Sequence, residues 1–221
     1  MIKLVIFDLD GTLLNTLEDL ANACNYALGE CGFPPRPTEE YRFLVGRGIT
    51  NLFRGALPEG MKTDEMVEKM RFHFLPYYSE HKCDLTRPYE GIIEMLDSLR
   101  LAGIRLAVAS NKYQEGTVEL IKRYFHAYDF VRVLGQREGF PIKPDAGIVL
   151  EAMEGVPGID KDEAVYCGDS NVDMQTGINA GVRTIGVTWG FRSREELASY
   201  SPWMLAESPS EIAEAVFSVQ E

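Results

Sequence analysis

A chain of 221 residues has room for one domain with an elaboration and a sizeable core. Its hydrophobic (45%) and charged (25%) fractions are ordinary for a globular protein, whereas a formal net charge of −12 argues against nucleic acid or an anionic membrane as partner. The opening MIKLVIFDLD carries two aspartates where a secretion signal is apolar, and no run approaches membrane length, so a cytoplasmic protein is expected.

Ile2 to Phe7, broken only by Lys3, reads as a strand buried on both faces of a parallel sheet. It ends in Asp8-Leu9-Asp10-Gly11-Thr12. Side chains at i and i+2 of a strand point the same way, so Asp8 and Asp10 converge past its carboxyl end, where open α/β sheets bind ligands. Neighbouring carboxylates repel unless a proton or cation separates them, and an all-oxygen donor set suits Mg²⁺. Cys24, Cys31, Cys83 and Cys167 lack paired spacing and read as reduced, apolar residues.

A helix is predicted from Leu17 to Cys31, with Thr16 as N-cap and Asp19 in the capping-box position, stopped by Gly32. After Pro34, Pro35 and Pro37, Thr38 caps a short helix through Leu44. Val45-Gly46-Arg47-Gly48 forms a tight turn before another short helix, Ile49 to Leu57. Thr63 to Tyr78 is a longer helix with Met66, Met70 and Phe74 on one face, read as packing rather than a ligand set. Ser79 to Glu90, with Pro88, reads as a linker.

The next strand, Ile104 to Ala109, appears only after one more helix, Gly91 to Leu101. A crossover between neighbouring parallel strands usually needs a single helix, so the surplus reads as a module inserted beside the Asp8 site, able to act as its lid. Strand and helix then alternate: helix Tyr113 to Phe125, strand Phe130 to Leu134, helix Ala146 to Glu154, strand Ala164 to Gly168. Helix Asp173 to Ala180 and strand Thr184 to Val187 follow. Ser208-Pro209-Ser210-Glu211 is a capping box opening a last helix to Val219. Such alternation predicts a parallel sheet with helices on both faces.

Three further strand ends carry polar groups. Ser110-Asn111 offers a hydroxyl and an amide to phosphate oxygens. Lys143-Pro144 supplies the fixed positive charge a phosphate site needs. Gly168-Asp169-Ser170-Asn171-Val172-Asp173 brings a second acidic pair, with a glycine that permits close approach.

Taken in order, DLDGT, Ser110-Asn111, Lys143-Pro144 and Gly168 to Asp173 resemble the motifs of the haloacid dehalogenase-like superfamily across almost the whole chain. The resemblance implies an α/β fold, a doubly wound parallel sheet of order 3-2-1-4-5 with an inserted all-α cap. The cap would be residues 16–85 and the core residues 1–15 plus 86–221. It implies an Mg²⁺-dependent phosphomonoester hydrolase in which Asp8 forms an aspartyl-phosphate and Asp10 is general acid and base. Asp8, Asp169 and the backbone carbonyl of Asp10 would hold the metal, with Asp173 adjoining them. Gly11, Thr12, Ser110, Asn111 and Lys143 would surround the phosphate.

Within the cap, VGRGITNLFRGAL is similar to phosphoglycolate phosphatases and their close relatives. That makes phosphoglycolate the first substrate candidate, with Gly46, Arg47 and Gly48 as substrate contacts and Arg47 facing its carboxylate. A β-phosphoglucomutase, a sugar-phosphate phosphatase or a pyrophosphatase on the same core is the alternative; a phospho-aspartate signalling receiver would lack the cap and Asp10. The expected partner is a small phosphate ester, and the chain a monomer or homodimer. Three positions depart from the family pattern. Asn15 replaces an aspartate at the hinge to the cap. Asp145-Ala146-Gly147 lacks a second proline, which predicts a less constrained Lys143 backbone. Ser201-Pro202-Trp203-Met204 replaces an Ala-Asp start to the last short strand.

Overall fold

The computed structural model describes residues 1–219. The chain opens with β1 (Leu4–Phe7) and a two-residue strand, β2 (Leu14–Asn15). Helices α1 (Leu17–Glu30), α2 (Thr38–Tyr41), α3 (Ile49–Ala56) and α4 (Asp64–His81) follow before β3 (Arg87–Pro88) and α5 (Ile92–Leu101). Alternation then sets in: β4 (Arg105–Tyr113), α6 (Gln114–Tyr124), β5 (Phe130–Gln136), α7 (Gly147–Met153), β6 (Ala164–Gly168), α8 (Asn171–Ala180) and β7 (Arg183–Val187). The chain closes with α9 (Arg194–Ala198), β8 (Met204–Ala206) and α10 (Pro209–Ser218).

The main sheet runs β5-β4-β1-β6-β7-β8 with every neighbour parallel. The expected order 3-2-1-4-5 is therefore observed, with β8 added at one edge. Successive residues of β1 point to opposite faces. Val5 and Phe7 enter the layer containing α5, α6 and α10, while Leu4 and Ile6 enter the layer containing α7 and α8. All four β1 residues have no solvent exposure, which is why the strand reads as an unbroken apolar run.

Helices α1 to α4 share their own hydrophobic cluster, built on Leu28, Phe53, Met70 and Phe74, and Phe191 from the segment after β7 enters it. On α4 the buried residues are Val67, Met70, Phe74 and Tyr78, at helical spacing, whereas Met66 is only partly covered. The chain leaves the sheet layer through β2 and returns through β3, and these two pair antiparallel, Leu14 opposite Pro88 and Asn15 opposite Arg87. Part of the expected linker is thus a two-stranded neck. Among the described residues no helix is long and apolar enough to cross a membrane.

Two expected caps are replaced by other contacts. Thr16 makes no side-chain cap bond. Asp19 instead accepts hydrogen bonds from the Thr86 N–H (2.8 Å) and hydroxyl (2.7 Å) and from the Leu85 N–H (3.0 Å), fastening α1 to the returning chain. Ser208 likewise makes no cap bond, and Glu211 accepts from the Glu207 N–H, although Pro209 opens α10 as expected. The signal in each case was a polar residue at the correct spacing. At Asp19 a long-range donor won the competition, and at Glu211 the N–H one residue before the expected one did.

Candidate active site

The site lies at the carboxyl ends of β1, β4 and β6. Asp8 directly follows β1 and is 4% exposed. Asp169 follows β6, and Asp173 is the third residue of α8, whose N-cap is Ser170. Carboxylate oxygens of Asp8, Asp169 and Asp173 all lie within 4.8 Å of one another. Lys143, 2% exposed, enters this cluster with its Nζ 2.9 Å from Asp8 Oδ1 and 2.7 Å from Asp173 Oδ1.

The residues around these groups fix them. Lys143 Nζ also donates to the Tyr166 hydroxyl (2.9 Å) and the Ala109 carbonyl (3.2 Å). Asp173 Oδ1 accepts from the Tyr166 hydroxyl at 2.7 Å, while Oδ2 accepts from the Ser170 Oγ at 2.6 Å and the Ser170 N–H at 3.1 Å. Both Asp173 oxygens are thereby occupied by protein donors. Asp169 Oδ2 accepts from the Phe191 N–H (2.7 Å) and Oδ1 from the Thr12 hydroxyl (3.3 Å). Its carboxylate also lies against bare backbone. A Cβ on Gly11, whose φ is +88°, would come within 2.4 Å of Asp169 Oδ2, and one on Gly190 within 2.3 Å of the Asp169 Cβ.

Burial of so many charges perturbs their ionisation in identifiable ways. Burial foremost, with the charges of Asp173 and Asp10, pushes Asp8 up to about 6 against the pull of Lys143. Burial also carries Asp169 well above the usual carboxylate range, reinforced by Asp173 and Asp8. Asp173 is buried as deeply, yet Lys143 and the hydrogen bonds from Ser170 and Tyr166 hold it below the ordinary value. Burial works against the charged form of Lys143 too, but Asp173 and Asp8 outweigh it and raise the ammonium. Three buried carboxylates therefore share one ammonium, which pairs directly with Asp8 and Asp173 but not with Asp169. An all-oxygen set with excess negative charge fits a hard divalent cation.

The cavity between Asp8 and the helical insertion is lined by Asp8, Asp10, Ser110, Asn111 and Lys112 on one side. On the other side lie Leu20, Val45, Gly46, Gly48, Ile49, Leu52, Phe74 and Tyr78. Gly46 and Gly48 both have positive φ, +110° and +79°. Arg47, placed between them in the sequence, is exposed and lies outside the cavity, in a surface cleft with Asn171 and Arg192. The Asn111 side chain is wholly committed: Nδ2 donates to the carbonyls of Gly46 (3.0 Å) and Lys143 (3.1 Å), and Oδ1 accepts from the Lys143 N–H (2.8 Å). Both backbone groups of Lys143 are thus held, and the missing second proline does not loosen it. Thr12, expected beside the phosphate, directs its hydroxyl at Asp169.

Lys112 was not anticipated from sequence. Its Nζ holds both Asp10 oxygens, at 3.1 and 3.3 Å, and donates to the Tyr78 hydroxyl at 2.7 Å. The Asp10 side chain consequently faces Lys112 and not the cluster of three carboxylates. A signal existed: Lys112 stands two residues after Ser110, so an extended chain turns both toward the same side. Tyr166 was also missed, although a lone hydroxyl within an apolar strand, two residues before Gly168, marks a buried polar partner.

Residues 5–187 match the family model described as haloacid dehalogenase-like hydrolase. The chain belongs to that family. Its curated relatives include the phosphoglycolate phosphatase of Vibrio parahaemolyticus, 32% identical over 97% of this chain and 96% of the relative. That of Agrobacterium fabrum is 36% identical over 85% of this chain and 81% of the relative. A solved structure from Lactobacillus delbrueckii subsp. bulgaricus, a candidate phosphoglycolate phosphatase, is 31% identical and superposes with a TM-score of 0.88 over 97% of this chain and 98% of that one. By this kinship the chain is a phosphatase of the haloacid dehalogenase-like family.

Proposed function

We propose that the protein hydrolyses a small phosphomonoester through an aspartyl-phosphate on Asp8, with Mg²⁺ as cofactor and phosphoglycolate as first candidate substrate. One observation carries the reading: the carboxylates of Asp8, Asp169 and Asp173 gather at the ends of the central strands, with the Lys143 ammonium paired to Asp8 and Asp173. The names of the relatives support the substrate. Asp8, Asp169 and the Asp10 backbone carbonyl would hold the magnesium ion, which when bound neutralises charge on the transferring phosphoryl group. Asp173, already saturated, serves by holding Lys143.

In the first half-reaction an Asp8 oxygen forms a bond to phosphorus as the ester P–O bond breaks, and Asp10 gives its proton to the departing alkoxide. Lys143, the Ser110 hydroxyl and backbone N–H groups near Leu9 and Asn111 bind the phosphoryl oxygens. In the second half-reaction Asp10 removes a proton from the attacking water, and Asp8 is released as inorganic phosphate leaves. The helical insertion, residues 16–85, acts as a cap that covers the cavity and excludes bulk water.

The test is phosphate release from a panel of phosphorylated metabolites with Mg²⁺, including phosphoglycolate, hexose phosphates and pyrophosphate. Asp8→Asn is the control. Turnover that ranks phosphoglycolate first and vanishes in Asp8→Asn is expected. Activity in that variant comparable with wild type removes the nucleophile assignment, and a preference for hexose phosphates or pyrophosphate removes the substrate.

A further inference from the structure

Lys112 has contacts that phosphate binding does not require. It follows Ser110-Asn111 on β4, its side chain is 3% exposed, and it shares the cavity with Asp8 and Asp10. Lys143 already supplies the ammonium beside Asp8. Lys112 Nζ instead spans the Asp10 carboxylate and the Tyr78 hydroxyl, and lies 4.7 Å from the centre of the Tyr78 ring. Tyr78 belongs to α4, in the helical insertion, and has no solvent exposure. The ammonium is therefore gripped from both sides of the cavity.

A flexible lysine side chain has many rotamers, and one so held orients whatever it binds. A carboxylate on a loop after β1 can rotate about two bonds. Contact of one ammonium with both its oxygens restricts that rotation.

We propose that Lys112 is a positioning residue for Asp10, aiming its carboxyl group at the leaving oxygen, and that the Tyr78 hydroxyl fixes Lys112 in that role. The proposal rests on the phosphatase reading above and adds a residue to it. Proton transfer depends on donor and acceptor lying within hydrogen-bond reach, so a free-swinging Asp10 slows the steps that move a proton while leaving phosphoryl binding intact. Lys112 touches neither phosphorus nor nucleophile in this scheme.

The leaving group separates this role from a structural one. p-Nitrophenolate departs without a proton, whereas an alkoxide requires one. Lys112→Met is expected to lower kcat for an alkyl phosphate roughly 100-fold, the lower end of what a positioned acid supplies, with KM nearly unchanged. The pre-steady-state burst of p-nitrophenolate from p-nitrophenyl phosphate keeps its wild-type rate, and only the later steady state slows. Tyr78→Phe, which keeps the ring, gives a loss of about 3–10-fold in the same pattern, as for one lost hydrogen bond. In the double variant the two losses are not multiplicative.

An equal loss in the burst phase, a rise in KM without a fall in kcat, or multiplicative losses overturns the proposal. Tyr78→Phe carries the test if Lys112→Met does not fold. Wild-type enzyme that releases no phosphate from any ester, with or without Mg²⁺, defeats the phosphatase reading itself and is thereby told apart from a failure of Lys112 alone.

Discussion

The neck between the sheet and the helical insertion hangs on Asp19, and replacing it by alanine should be costly for a defined reason. Asp19 is 2% exposed and Thr86 has no exposure, so the Thr86 N–H and hydroxyl reach no solvent once their acceptor is gone. The Leu85 N–H, 3.0 Å from Asp19 Oδ1, loses its partner as well but is only partly buried. Each buried donor left without an acceptor destabilises by about 1–3 kcal/mol. Two of them give a loss of about 2–6 kcal/mol, a large share of the ~5–15 kcal/mol typical of a domain. Asp19→Asn keeps one acceptor oxygen but turns an amide donor toward another donor, so about half that loss is expected. Urea unfolding with an unchanged m-value measures it, and hydrogen exchange at Leu85 and Thr86 locates it. A loss below ~1 kcal/mol in Asp19→Ala, or unaltered protection of those two amides, refutes the claim that this carboxylate fastens the neck.

Gly190→Ala places a Cβ 2.3 Å from the Asp169 Cβ and 2.4 Å from the Gly11 carbonyl oxygen. Overpacking of this kind typically destabilises by about 1–3 kcal/mol, and weaker Mg²⁺ affinity measured by calorimetry is the expected sign that Asp169 has shifted. Arg47→Ala should change KM for phosphoglycolate less than about threefold, because an exposed arginine outside the cavity offers no desolvated ion pair; a larger steady-state KM shift shows that Arg47 reaches the substrate. For pH, burial raises Asp8 from 3.8 to about 6, so the metal-free folded state binds this proton more tightly than the unfolded chain does. That contribution to stability is fully present below 3.8 and is lost as pH rises through about 6. Asp169 shifts in the same direction, while Asp173, held low, loses its contribution only on acidification. The rise in Tm on adding Mg²⁺ should therefore be larger at pH 7 than at pH 5, and equal shifts at the two values contradict the cation assignment.

Where chemistry and local pattern coincided, the sequence was readable. β1 announces itself because burial on both faces removes the polar alternation, and Asp8 follows because a carboxylate at such a strand end has no reason to be there without a partner. Asp169 and Lys143 repeat that logic. What escaped depends on tertiary partners that no spacing encodes. Asp19 occupies a respectable capping position, yet Thr86, far along the chain, outcompetes the helix terminus for it. Asn111 has the composition of a phosphate ligand, but its amide is spent on Lys143 and Gly46. Arg47 between two glycines invites a role in binding, and the positive φ values of Gly46 and Gly48 instead bring the glycine backbone to the cavity while the arginine faces out.

The carboxyl end of β4 shows how a short irregularity distributes several tasks. Opposite β5, Ala109 pairs with Leu134 and Tyr113 with Gln136. Four steps on β4 thus face two on β5, so two extra residues bulge from the ladder. Bulges of this kind bend a strand and re-aim its side chains. Gly135, between the paired residues of β5, makes the bulge possible, since a Cβ there would come within 2.6 Å of the Lys112 carbonyl oxygen and 2.7 Å of the Gln114 Cα. The displaced residues are Ser110, Asn111 and Lys112. Ser110 lines the cavity, Asn111 ties Lys143 to Gly46 of the insertion, and Lys112 ties Asp10 to Tyr78 of α4. A regular strand would alternate these side chains between its two faces and send the middle one away from the site. The bulge lets three consecutive residues serve one cavity, and two of the three reach across it, so the helical insertion and the Asp10 carboxylate are held by the same few bonds.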